Sequence, residues 1–174
     1  MTAVTTLRTP DFDRYDEWRE LMADYGDSGL DGSGFWGDHQ PVLTPEGYRD
    51  WVAFLLTEGN EQVPPVSGRV KSSYFWIVDD ADRWVGYLAL RRSLNDFLLE
   101  LGGHIGYSVR PSRRREGHAS RALALGVAEA AALGIDRVLV TCDEDNLGSR
   151  RTIEGNGGVL EDVRQGKRRY WITT

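Results

Sequence analysis

One segment constrains the fold of this chain more than any other: residues 106–119 place a strand, a basic turn and a helix start in immediate succession. The first amides of a helix have no partner inside the helix, and together with the helix dipole they attract anions, phosphate above all. Gly117 and Ala119 keep bulky side chains off this backbone, and the turn before them carries four arginines between positions 110 and 115. We therefore predict a phosphate-binding helix start. A glycine that merely begins a helix after a basic turn is the alternative.

The remaining patterns predict an α/β domain with a mixed sheet. Apolar side chains recur every three or four residues between positions 11 and 25, as in a helix packed on a core, whereas residues 137–142 form an apolar run typical of a fully buried strand. Strands are predicted at residues 4–8, 74–78, 84–90, 101–109, 137–142, 159–163 and 167–172, and helices at 11–25, 44–57, 117–133 and 146–154. Since no linker is long enough to separate domains, residues 1–174 are expected to form one domain.

Composition and charge argue against several classes of protein. Cys142 is the only cysteine, so the fold cannot rely on an internal disulfide. A net charge of −6 argues against a general nucleic-acid binder, which needs a basic face. The chain shows neither an apolar run long enough to cross a membrane nor a secretion signal, so we expect a cytoplasmic protein. Its three histidines are scattered, and no metal site is expected.

The basic-turn segment has a specific spacing, since it reads Val-x-Pro-x-x-Arg-x-x-Gly-x-Ala from residue 109 to residue 119. After the next predicted strand comes Asn146-x-x-Ser149. Together, across residues 102–158, these motifs resemble the acyl-CoA signature of the GNAT superfamily of N-acetyltransferases. More narrowly, they look like a group of predicted bacterial acetyltransferases with no assigned acceptor. The resemblance implies a mixed, mostly antiparallel twisted sheet flanked by helices, with a splayed strand pair that holds acyl-CoA.

The resemblance implies that acetyl-CoA, or another acyl-CoA, is the co-substrate. Backbone amides of residues 114–120 would bind its pyrophosphate, the strand before them would pair with the pantetheine arm, and the helix start at Asn146 would line the far side of that arm. The cofactor-binding residues implied in this way are Tyr107, Ser108, Val109, Arg114, Arg115, Glu116, Gly117, His118, Ala119, Ser120, Asn146, Ser149 and Arg150. Simple helix capping is the alternative for Asn146 and Ser149.

Thioester chemistry implies direct attack by a neutral amine, with juxtaposition of the two substrates supplying most of the acceleration. Glu100 and His104 precede the cofactor strand and are the candidates for the catalytic base, and a structural role is the alternative for each. Many members of the family carry a tyrosine after the second helix start to protonate the leaving thiolate. This chain has Ile153 there, so the acid is unassigned and solvent is the alternative.

The N-terminal region, residues 1–68, is expected to supply the acceptor side. Residues 11–38 include nine acids and only two arginines, and the loop in this region contains Phe35, Trp36 and His39. These three residues are predicted to bind the acceptor, with the aromatic rings suited to a cationic group beside an apolar one. We therefore expect transfer to a primary amine of a small cationic molecule. A protein N-terminus or lysine as acceptor, and a non-catalytic acyl-CoA sensor, are the alternatives. Nothing in the sequence requires a homodimer, although homodimers are common in the superfamily.

Overall fold

Seven strands form two separate antiparallel sheets in the part of the chain that the computed structural model describes, residues 4–37 and 39–174. Residue 38 of the acidic segment lies outside the described residues. The first sheet has the order β1 (Thr5–Arg8), β2 (Ser72–Asp79), β3 (Trp84–Arg91), β4 (Ile105–Val109). The second has the order β5 (Arg137–Asp143), β7 (Lys167–Thr173), β6 (Val159–Arg164).

Four helices cover these sheets: α1 (Tyr15–Tyr25), α2 (Pro45–Gly59), α3 (His118–Ala132) and α4 (Leu147–Gly155). Because side chains alternate along a strand, the first sheet has two apolar faces. Tyr87 of β3 faces an aromatic cluster shared with α1 and α2, and the next residue, Leu88, faces an aliphatic core shared with α3 and β5. Cys142 and Ile153 are buried in that aliphatic core. The predicted α/β class and the mostly antiparallel pairing are confirmed.

Two predicted element starts are wrong, each because a local turn intervenes. The strand predicted from residue 101 begins at Ile105, because Leu98–Gly102 form a turn of π-helix. That turn closes with a 2.6 Å hydrogen bond from the Gly103 amide to the Leu98 carbonyl, and Gly103 has a φ of 66°. The first helix begins at Tyr15, not at residue 11, because the Asp11 carboxylate turns the chain by accepting a hydrogen bond from the amide of residue 13.

Hydrogen bonds to the backbone join the two sheets at His104, the residue just before β4, and Leu139 of β5. The backbone amide of His104 donates to the Leu139 carbonyl at 2.7 Å, and the Leu139 amide donates to Nδ1 of the His104 ring at 2.8 Å. Among the described residues, no ladder of backbone hydrogen bonds joins β4 to β5. The imidazole therefore takes the place of a backbone carbonyl, and β4 and β5 leave this point as members of different sheets.

The aromatic cluster gives a prediction for stability. Trp84 is fully buried, with its ring 3.9 Å from that of Trp76 and its Nε1 bonded to the Gly86 carbonyl. Trp84→Ala is expected to lower the free energy of unfolding by about 3–5 kcal/mol in chemical denaturation. Trp36→Ala is the matched control, because that ring is 60% exposed, and it should cost about 1 kcal/mol or less. Equal losses for the two variants would contradict the assignment of the core.

Candidate active site

The start of α3 has no side-chain cap, unlike the starts of α2 and α4. Side-chain oxygens of Thr44 and Asn146 accept hydrogen bonds from backbone amides at the first turns of α2 and α4. At α3 the N-cap residue is Gly117, and no side chain caps this end. The first backbone bond of α3 runs from the Arg121 amide to the Gly117 carbonyl, so the amides of residues 118–120 have no acceptor inside the helix. This end can accept an external anion.

The turn before α3 has a backbone shape that favours an anion. Arg115 and Gly117 both adopt left-handed conformations, with φ of 64° and 93°. Alternation of this kind aims successive amides at one side and forms a concave anion site. For Arg115, whose side chain disfavours this conformation, it costs roughly 1 kcal/mol. The turn is anchored from β4, since Arg114 Nε donates to the carbonyl of Val109 at 2.9 Å.

The four arginines of the turn divide into two pairs. Arg110 pairs with Asp24 of α1 at 2.5 Å, and Arg113 pairs with Asp79 of β2 at 2.9 Å. Although burial alone would raise the pKa of Asp79, hydrogen bonds from Arg83 and Arg113 lower it to about 2. The other two arginines of the turn are exposed, and neither forms an ion pair among the described residues. Ion pairs of Arg110 and Arg113 therefore fix the turn, while the charges of Arg114 and Arg115 are not neutralised by a described acid and are available to an anionic ligand.

Two of the predicted cofactor residues, on different motifs, are brought into contact. The hydroxyl of Tyr107, on β4, lies 2.8 Å from Oγ of Ser149, in the first turn of α4. Burial raises the pKa of Tyr107 to about 12, so its hydroxyl keeps its proton at neutral pH. Ile153, at the position where the family commonly has tyrosine, is buried in the core. The phenol at the start of α4 therefore comes from β4.

The neighbouring residue on β4 faces the opposite side and binds the N-terminal loop. Oγ of Ser108 donates to the backbone carbonyl of Asp31 at 2.7 Å and accepts from the hydroxyl of Tyr25 at 3.0 Å. Burial is the main cause that raises the pKa of Tyr25, and the negative charge of Asp31 acts in the same direction. Nothing in the sequence singled out Asp31, because only the fold brings the loop to the cofactor strand.

The two predicted base candidates occupy different surroundings. His104 is 7% exposed, and burial together with the Arg91 charge lowers its pKa to about 4. Since Nδ1 accepts the Leu139 amide, the ring proton is on Nε2, and the ring cannot take a second proton without losing that bond. Glu100 pairs at the surface with Arg164 of β6 at 2.7 Å. A catalytic role for either residue stays a prediction, and the contacts of both residues do not favour it.

Several side chains in the predicted cofactor set are occupied by structural contacts. His118 is buried and lies 3.0 Å from the Thr5 hydroxyl of β1. Glu116 pairs with Arg113 of the same turn at 3.0 Å. Arg150 pairs with its neighbour four residues along α4 at 2.9 Å. For His118 and Glu116, therefore, only the backbone is left for the predicted role.

On the acceptor side, the predicted aromatic residues do not act as one wall. Trp36 and His39 line an open cleft of about 360 Å³, whereas Phe35 is partly buried and stacks on Trp51 at 4.8 Å. The cleft already holds a cation: the guanidinium of Arg69 lies 5.3 Å from the Trp36 ring centroid and 5.0 Å from that of Phe54. A cationic acceptor would have to compete with this arginine for the ring faces.

No cluster of three or more histidine, cysteine or acidic side chains with a metal-binding arrangement occurs within residues 4–37 and 39–174. In the same part of the chain, no helix has both the length and the apolar character needed to span a membrane.

Comparisons with known proteins agree with this geometry. A family model described as "Acetyltransferase (GNAT) domain" matches residues 6–159. A comparison of the sequence with curated proteins gives no significant match.

Solved structures share the fold at low sequence identity. RimJ of Mycobacterium smegmatis, in complex with CoA-disulfide, has a TM-score of 0.74 at 22% identity, covering 99% of this chain and 83% of that one. The microcin C7 self-immunity acetyltransferase MccE, in complex with acetyl-CoA and AMP, has a TM-score of 0.69 at 16% identity, with coverages of 98% and 93%. RimL, a ribosomal L7/L12 α-N-protein acetyltransferase, gives 0.67 at 18% identity, with coverages of 98% and 91%.

The position of His104 gives a prediction about pH. Its pKa falls from 6.5 to about 4 on folding, so between these values the unfolded chain binds a proton that the native protein does not. Stability should therefore fall as pH falls from 6.5 to 4, by up to about 3 kcal/mol from this residue. His104→Asn keeps an acceptor for the Leu139 amide and should lack this component. Denaturant unfolding of both proteins from pH 7 to 4.5 measures the difference, and parallel pH profiles would contradict the assignment.

Proposed function

The chain belongs to the GNAT family of acetyltransferases, and we propose that it transfers the acetyl group of acetyl-CoA directly to a primary amine within a ternary complex. The observation that carries this proposal is the pairing of two features. The uncapped, glycine-started α3 offers backbone amides to an anion, and the Tyr107–Ser149 contact places hydroxyl groups between β4 and α4. A pyrophosphate and a thioester need features of these two kinds.

The residues present fit acetyl-CoA, whose thioester supplies an activated acyl group when bound. Amides of residues 114–120, and the guanidinium groups of Arg114 and Arg115, which form no ion pair among the described residues, would hold the pyrophosphate. Because β4 lacks a backbone ladder to β5, its edge is open to an extended arm that pairs with it as a strand would. The side chain of Ala119 is a single methyl group and adds little bulk at the α3 start.

Two kinds of group would act on the reacting atoms. Backbone amides of β4 can stabilise the negative charge that develops on the carbonyl oxygen. The Tyr107 hydroxyl, protonated at neutral pH and in contact with Ser149, is the proton donor that we assign to the departing thiolate. It takes the place of the tyrosine that the family commonly has where this chain has Ile153.

The proton of the amine has a less defined route. Glu100 lies in a surface ion pair and His104 lacks a free lone pair for a proton, so we propose that His104 positions β4 and that solvent takes the proton. An amine that arrives uncharged needs no base for the attack itself.

The acceptor site favours a primary amine whose remaining part is neutral or anionic over the cationic acceptor predicted from the sequence. Arg69 occupies the aromatic cleft, and its ion pair with Glu58 at 2.8 Å keeps it there. A protein N-terminus is the second candidate, since two structures that share the fold are RimJ and a ribosomal L7/L12 α-N-protein acetyltransferase. The open character of the cleft at Trp36 and His39 supports an acceptor that extends beyond a closed pocket.

Thiol release with acetyl-CoA against a panel of amines and short peptides tests the function, together with calorimetry of acetyl-CoA alone. Release with one class of amine supports the transferase. Acetyl-CoA binding without release to any acceptor would favour the non-catalytic sensor, and no binding would contradict the proposal.

The α3 start offers a matched pair of glycine variants. Gly117→Asp places a carboxylate at the proposed pyrophosphate site, and acetyl-CoA affinity should fall about 100-fold or more, because like charges would be brought together. Gly134→Asp is the control, since Gly134 also has a positive φ, 77°, but lies just beyond the other end of α3 with open space around it. Calorimetry measures both variants, and equal affinity would place the pyrophosphate elsewhere.

The Tyr107 hydroxyl gives a kinetic prediction. Tyr107→Phe should lower kcat about 100-fold and leave KM for acetyl-CoA nearly unchanged, because it removes a proton donor and not a binding contact. Tyr15→Phe is the control, since that hydroxyl bonds to the Leu43 carbonyl away from β4. Unchanged kcat in Tyr107→Phe would assign the proton to solvent.

A further inference from the structure

Arg91 is a cation without an acid partner on the acceptor-facing side of the first sheet. It is the last residue of β3, and its Nη1 donates to the carbonyl oxygens of Gly102 at 3.0 Å and Gly103 at 3.3 Å. Within residues 4–37 and 39–174, no carboxylate lies within the 4.0 Å of an ion pair with it. The side chain is partly buried, and this burial lowers its pKa. A charge in such a place favours a counter-charge.

The guanidinium lies against the middle of β4. A Cβ built on Gly106 would be 3.3 Å from Nη2 and 3.4 Å from Nη1 of Arg91, and 3.5 Å from the backbone nitrogen of Gly32. No acceptor for Nη2 occurs among the described residues. The Arg91 guanidinium and the Gly32 backbone nitrogen therefore both lie beside Gly106, in the strand that we propose to hold the thioester arm.

Two acids of this region, Glu61 and Glu58, are already paired with other arginines. Arg92 pairs with Glu61, and Arg69 pairs with Glu58. The charge of Asp31 does act on Arg91, but this carboxylate is exposed in the loop that Ser108 holds. Capping the carbonyl ends of the π-turn explains the contacts of Nη1 and leaves Nη2 unexplained.

We infer that Arg91 binds a carboxylate of the acceptor, so that the acceptor is a primary amine that also carries a carboxylate. A guanidinium suits a carboxylate because its N–H groups match the two oxygens. The inference rests on the proposed function, whose acceptor amine it specifies. Asp31 is an exposed acid on the loop that Ser108 holds, so it would attract the ammonium form of such an amine. The carboxylate has two sources with the same chemistry: the α-carboxylate of a free amino acid, or the acidic side chain at the N-terminus of a peptide.

Pairs of acceptors that differ only in the carboxylate test the inference. One arm compares free amino acids with their α-amides, and the other compares an aspartyl dipeptide amide with its asparaginyl counterpart. Wild-type kcat/KM for thiol release should favour the carboxylate about 10- to 100-fold in one arm, the size of a charge-assisted hydrogen bond. The arm that shows the preference identifies the source.

Variants then assign the preference to one side chain. Arg91→Gln should erase the preference by raising KM for the carboxylate, while turnover of the amide and acetyl-CoA affinity stay unchanged. Arg91→Lys keeps the positive charge but lacks the paired N–H groups of a guanidinium, and it should retain part of the preference. Arg49→Gln, which removes an exposed guanidinium of α2, is the matched control and should behave as wild type. Thermal unfolding of each variant reports whether it is folded.

Two results would overturn the inference: equal use of acid and amide by the wild type, or equal loss of both in Arg91→Gln. Failure of the proposed function is a separate result, namely no thiol release with any amine. In that case, calorimetry in the presence of CoA can compare the affinity for N-acetyl amino acids with the affinity for their amides, which tests the carboxylate site without turnover. Binding that favours the acid and disappears in Arg91→Gln supports the carboxylate site, and no such preference refutes it.

Discussion

The reciprocal hydrogen bonds between His104 and Leu139 are the constraint on which the candidate site depends. Two strands that lie side by side normally continue pairing, because every unpaired backbone group out of water costs free energy. Here a side-chain nitrogen replaces one carbonyl, so pairing stops after a single contact. The aliphatic core beneath holds β4 and β5 close to each other while their edges stay free. An open strand edge inside a packed domain results, which is what an extended ligand arm requires.

Some charged side chains of this protein pair with an opposite charge, and others have no such partner among the described residues. In the basic turn, Arg110 and Arg113 pair with acids of α1 and β2, whereas Arg114 and Arg115 form no ion pair among the described residues. In the first sheet and its loops, Arg69 lies among aromatic rings with its own acid, and Arg91 has no acid within residues 4–37 and 39–174. Net charge conceals this arrangement, because the overall excess of acids gives the impression of a site for cations.

Sequence patterns predicted the elements well where the signal was local. The apolar spacing of α1 and the cap at Thr44 reflect physics within one or two turns, and both helices are present. The boundary at residues 98–105 was wrong because three leucines can pack as a π-turn or as a strand, and the choice depends on the neighbouring sheet. Similarly, aromatic residues near Trp36 predicted a cation site without showing that Arg69, more than 30 residues away in sequence, supplies the cation.

By itself, the sequence determined the α/β class and the helix start after the basic turn, because a helix start and the periods of apolar residues are local properties. The binding of an anion at that helix start stays a proposal. It could not determine which side chains meet. The contact between Tyr107 and Ser149 joins residues 42 positions apart, and Ser108 meets a loop 77 positions earlier. The tertiary structure alone decided that the His104 ring bonds to the Leu139 amide and that Arg91 has no acid partner within residues 4–37 and 39–174, because both facts depend on residues distant in sequence.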